Sequence, residues 1–131
     1  MSDLTEARQA IIEAELVESA ADRYLAAHRA AQRVAAVALA AHAGARARVR
    51  SGPVDPWTLL AQVAPDCGEW AAYFSATQAK RWAVAAGARA IVSEREADDL
   101  VRDAANFHAA VARHLRARRA RVAPASHARG A

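Results

Sequence analysis

Arg102 and His108 stand with five residues between them in the segment VSEREADDLVRDAANFHAAV, residues 92–111, whose apolar spacing is helical. An arginine and a histidine placed in this way can cut RNA without a metal ion. The histidine, with a pKa near neutral, would move a proton to or from the 2′-hydroxyl or the leaving oxygen. The arginine would stabilise the charge that develops on the phosphorane. These two residues are the candidate catalytic pair.

Spacing alone does not single them out. A chain with 17 Arg and 5 His holds about two such pairs by chance. Three are present: Arg23–His28, Arg102–His108 and Arg121–His127. Placement separates them. The third lies in a tail with nothing to hold it rigid. The first lies on an early helix, where Tyr24 and His28 are one turn apart on the core side and read as a packed pair. On the late helix, Arg102 and His108 point about 120° apart and bracket a strip containing Ala105 and Ala112. Arg23, Tyr24 and His28, together with Trp82, are the candidate binding residues.

The elements that must position these groups mark their own ends. Residues 3–18 read as an amphipathic helix, and Ser19 with Asp22 as a break and new N-cap. A second helix runs to Gly44, a suitable residue just past a helix end. Asp55-Pro56 starts a short third helix that stops before Pro65. Asp66 with Glu69 resembles a capping box opening a fourth helix over 67–86, and Ser93 with Glu96 repeats it for a fifth helix reaching about 119. On the fourth helix Trp70, Phe74 and Thr77 share the core face, with Trp82 displaced about 120° beside Ala71, Ser75 and Ala86. On the fifth, Leu100, Ala104, Phe107, Val111 and Leu115 form the core stripe, opposite Arg95, Arg102, Asn106 and Arg113. Small-residue strips beside these faces suit close packing against a second copy. The expected fold is all-α: a five-helix up-and-down bundle over 1–119, followed by a disordered basic tail, 120–131.

Composition agrees. Forty alanines, few glycines and few prolines favour helix almost throughout. Residues 1–112 carry twelve basic against fourteen acidic residues and so a charge of −2, while 113–131 hold six arginines and no acid. Arg46, Arg48 and Arg50 form a second basic knot. Such extremities can meet nucleic acid or serve solubility alone. The single cysteine, Cys67, excludes an internal disulfide, and no HxxxH pair is present, so no metal-ligand set is legible and no cofactor is implied. The start MSDLTEAR lacks the basic and apolar regions of a signal peptide, and VAAVALAA is too short to cross a bilayer. A cytoplasmic protein without membrane contact is expected.

The segments RYLAAHRAAQR (23–33), PWTLLAQVAPDCGEWAAYF (56–74) and VSEREADDLVRDA (92–104) resemble the small HEPN-domain proteins of actinobacteria, over roughly residues 8–112. The resemblance implies a bundle of four or five helices that dimerises. It also implies one of two activities. Active HEPN proteins are metal-independent ribonucleases with Arg-x4–6-His on a late helix at the dimer interface, and Asp103 resembles the polar residue that often follows the arginine. Other members bind RNA or a partner without chemistry. The expected function is a non-catalytic, dimeric module binding RNA, a nucleotide or a partner. The alternative is a toxin-type ribonuclease using an Arg–His pair.

Overall fold

A computed structural model describes residues 3–42, 44, 52 and 55–130, with side chains as far as Arg121. Arg46, Arg48 and Arg50 lie outside the described residues, as does the side chain of His127. The helices are α1 (Asp3–Glu15), α2 (Ala20–Ala40), α3 (Pro56–Val63), α4 (Gly68–Ala76), α5 (Gln78–Ala85) and α6 (Glu94–Gly130), with single 3-10 turns at Pro65–Cys67 and Arg89–Ile91. These are the five expected helices, the fourth divided into α4 and α5. No strand occurs among the described residues, and none of their helices is long and apolar enough to cross a membrane.

Three of the expected caps form. The Ser19 hydroxyl accepts from the Asp22 amide at 3.1 Å, Asp55 from the Thr58 amide at 3.0 Å, and Ser93 from the Glu96 amide at 3.0 Å. The fourth does not. Cys67 occupies the N-cap of α4, and the Asp66 carboxylate is drawn instead to His114, 3.0 Å away. Gly87 ends α5 at φ 121°, a conformation that favours glycine. Helix α6 continues to Gly130, where the sequence places its end near 119.

The side-chain ties set the directions. Arg23 near the start of α2 meets Glu94 and Asp98 at the start of α6, and His42, just past the end of α2, meets His114 farther along α6. Helices α2 and α6 therefore run parallel. Leu4 in α1 meets His108, and in α4 Tyr73 meets Asp103 while Cys67 and Asp66 lie at His114, so α1 and α4 run the other way. Helix α3 closes the core between them.

That core is alanine-rich where α1, α2 and α6 approach: Ala7, Ala14, Ala27, Ala31, Ala38 and Ala104 are all buried. Beside it stands an aromatic cluster. Trp57 stacks on Phe74 with centroids 5.4 Å apart, and Phe107 lies 5.3 Å from Phe74. Phe74 and Phe107 are fully enclosed, as expected. Trp70 is only half-buried, and Trp57 is the buried tryptophan. Trp57→Ala is therefore expected to cost about 3–5 kcal/mol in denaturant unfolding, as for other large-to-small core changes. Trp82→Ala, at a site 60% exposed, should shift the stability of the single chain, read at concentrations too low for association, by less than about 0.5 kcal/mol.

His28 sits inside the same cluster with no exposed surface, edge-on to Trp57 and Phe74. The Thr77 hydroxyl donates to the Phe74 carbonyl at 2.8 Å, so it accepts from His28 Nε2–H at 2.9 Å. Nδ1 is left bare and without a partner. A second proton there would meet no acceptor among the described residues. Burial accordingly pushes the imidazole down to about 4, with the nearby Arg81 adding to the lowering. An unfolded histidine titrates near 6.5. Between the two values unfolding takes up a proton, so this contribution is complete above about pH 6.5 and lost as pH falls toward 4. The loss should amount to roughly 2–3 kcal/mol in the pH dependence of unfolding, and His28→Gln should flatten that part of the curve.

Candidate functional site

The candidate catalytic pair is not brought together. Arg102 and His108 stand about 9 Å apart along the α6 axis and about 120° apart around it, and no hydrogen bond joins them. The Arg102 side chain is 63% exposed. Its guanidinium lies 3.1 Å from Asp99 and 3.6 Å from Asp103, which surround it with negative charge. Asp103 in turn accepts a 2.7 Å hydrogen bond from the Tyr73 hydroxyl, fixing α4 to α6. Burial and this carboxylate both hold the Tyr73 phenol well above its ordinary value, so it stays protonated as a donor. His108 is half-buried, and its Nε2–H donates to the Leu4 carbonyl at 2.9 Å. One ring nitrogen of the candidate base thus holds α1 against α6.

Of the second set, Arg23, Tyr24 and His28 are buried and Trp82 is exposed. Arg23 is 8% exposed and donates to the carbonyls of Val17 and Glu18 at 2.9 and 3.0 Å, to the Glu94 carboxylate, and lies 3.0 Å from Asp98. Its planar fork therefore joins the α1–α2 turn to the first turns of α6. Tyr24 is buried, and desolvation raises its phenol. With His28 enclosed as described, none of the three can touch a ligand without opening the core. Trp82 differs. It is the most exposed aromatic side chain among the described residues, followed in the chain by exposed Ile91.

Beyond the bundle body the character of α6 changes. Arg113, Arg116, Arg119 and Arg121 are exposed, and none makes an ion pair among the described residues. At 1.5 Å per residue the 37 residues of α6 extend about 55 Å, against about 31 Å for the 21 residues of α2. The basic stretch is therefore carried where α2 cannot cover it.

The fold also assembles a group that spacing did not reveal. His114 is buried, and its Nδ1 lies 3.0 Å from each carboxylate oxygen of Asp66. Its Nε2 lies 3.0 Å from Nε2 of His42, and the rings stack at 5.3 Å. The Cys67 sulfur is close by: one ligand atom each from Asp66, Cys67 and His114 falls within 4.8 Å of the others. Burial, with Asp66 adding to it, pushes the Cys67 thiol up to about 11. These residues come from α2's end, the turn before α4 and α6, with His114 48 positions from Asp66 and 72 from His42, so only the folded chain places them together. The one local signal was the polar Asp66 beside a lone cysteine, which reads equally well as a helix cap.

A profile of the SAV_6107-like HEPN family matches residues 14–112. Searches of curated proteins and of solved structures gave no match. The matched stretch takes in α2 to α5, the end of α1 and the half of α6 that packs in the bundle, and the all-helical architecture agrees with it. The chain belongs to the SAV_6107-like HEPN family.

Proposed function

We propose that this HEPN domain is a non-catalytic module that dimerises and binds RNA through its phosphates. The observation that carries the reading is a contrast between two sets of arginines. The two in Arg–His spacing within the bundle are already paired: Arg102 with Asp99 and Asp103, Arg23 with Glu94 and Asp98. Arg113, Arg116, Arg119 and Arg121 are exposed and make no ion pair among the described residues. A guanidinium without an acidic partner is free to take a phosphate in bidentate fashion. Cleavage would need Arg102 and His108 on one phosphate, and within one chain they are turned away from each other. Trp82 and Ile91 give the dimer its apolar surface, since a monomer gains nothing by exposing them.

Single-stranded RNA of mixed sequence, at neutral pH with chelator, tests both halves of the proposal. Binding without cleavage is expected. With four phosphate contacts, the logarithm of affinity should fall against that of salt with a slope of about −3. Arg116→Ala and Arg119→Ala should each reduce the slope by about 0.7. Cleavage that disappears in both Arg102→Ala and His108→Ala, with the fold intact, would make the protein a metal-independent ribonuclease. Absence of binding even at low salt would remove RNA as the ligand. In sedimentation the wild type should be a dimer at tens of micromolar and Trp82→Arg a monomer of unchanged helicity.

A further inference from the structure

We propose that Asp66, Cys67 and His114 bind one divalent transition-metal ion of the zinc class, with His42 orienting the histidine. The inference is independent of RNA binding. A carboxylate, a thiol and an imidazole are the oxygen, sulfur and nitrogen donors that zinc accepts, whereas calcium and magnesium take oxygen ligands almost alone. The His114 Nδ1 and both Asp66 oxygens stand 3.0 Å apart, a separation that an ion about 2.0–2.2 Å from each can span. The Cys67 sulfur, within 4.8 Å, has to close by about an ångström to reach a usual zinc–sulfur geometry.

His42 supplies the second observation. Two imidazole nitrogens only 3.0 Å apart must share a proton. Without a metal, Nδ1–H of His114 donates to Asp66 and Nε2 accepts from His42. With the ion on Nδ1, the His114 proton moves to Nε2 and is donated to His42, the outer partner that a ligating histidine commonly has. The exchange is balanced: the ion displaces the proton of the Cys67 thiol, one proton leaves to solvent, and His114 and His42 each change tautomer without changing charge. The Asp66 side chain is 57% exposed, so the ion reaches the buried sulfur from that side, and water completes the coordination. Arg113 and Arg118 act electrostatically on Cys67 and His42, which opposes a cation and sets a moderate affinity.

Cobalt(II) titration of the full, tag-free chain reads the site directly. Cys67 is the chain's single cysteine, so any thiolate-to-cobalt charge-transfer band belongs to it. One cobalt per chain is expected, with that band, with release of one proton in weakly buffered solution, and with displacement by zinc. Cys67→Ser should abolish the band. Asp66→Asn keeps an acceptor for His114 but removes the charge, and should weaken binding at least tenfold, as His42→Gln should by about 10–100-fold. The proposal is overturned if the folded wild type shows no band and no stoichiometric uptake. It is also overturned if the band survives Cys67→Ser, or if Asp66→Asn and His42→Gln both bind like wild type; the cluster is then a hydrogen-bonded tie alone.

Discussion

The guanidinium of Arg23 is the point on which the bundle closes. A turn of four residues separates α1 from α2, and its carbonyls at Val17 and Glu18 project where α6 begins. Left alone, they would be polar groups against a helix end with no donor. Arg23 reaches both and uses its remaining edge on Glu94 and Asp98 in the first turns of α6. Glu94 also sits in the first turn of α6, where a helix N-terminus favours negative charge. One side chain thus satisfies a turn, joins elements 71 residues apart in sequence, and fixes where α6 starts relative to α2.

From that point the rest follows along α6. Its register relative to α2 brings Phe107 under Phe74 and Trp57, puts Asp103 within reach of Tyr73, and leaves His108 facing the Leu4 carbonyl. The same register carries His114 to His42 and Asp66. Arg23, His28 and His108 are thus each engaged in holding helices together, while Arg116, Arg119, Arg121 and Trp82 stay exposed.

Much of the architecture was legible because its signals are local. Ser19, Asp55 and Ser93 cap the helices that follow them because a hydroxyl or carboxylate needs only the amide three residues on. The Leu100–Ala104–Phe107–Val111 stripe is buried as helical spacing requires. The misreadings are long-range. Asp66 has the sequence of a cap, but the folded chain offers it a buried histidine 48 positions away. At Thr77, where α4 and α5 divide, the hydroxyl bonds both the Phe74 carbonyl and His28, and the latter lies 49 positions away. Trp70 is half-buried rather than enclosed, and Trp57 of α3 packs on Phe74 and Phe107 instead, because periodicity within a helix says nothing of what lies over it. For the site, helical spacing places Tyr24 and His28 on the core side, where both are buried, but it shows neither the Thr77 partner of His28 nor the carbonyls and carboxylates that Arg23 meets, which lie in other elements.

The comparison of Arg23→Lys with Arg89→Lys tests most directly whether Arg23 closes the bundle. Both arginines join the start of α2 to the region before or at the start of α6, Arg89 through Asp22 and Ser19 on the surface. Lysine keeps the charge in each case and removes the planar fork. Unfolding in denaturant, followed by helicity, should show a clearly lower midpoint for Arg23→Lys, while Arg89→Lys stays close to wild type as exposed ion pairs do. An Arg23→Lys protein as stable as wild type would contradict the account, because the fold would then not depend on the four acceptors that this guanidinium joins.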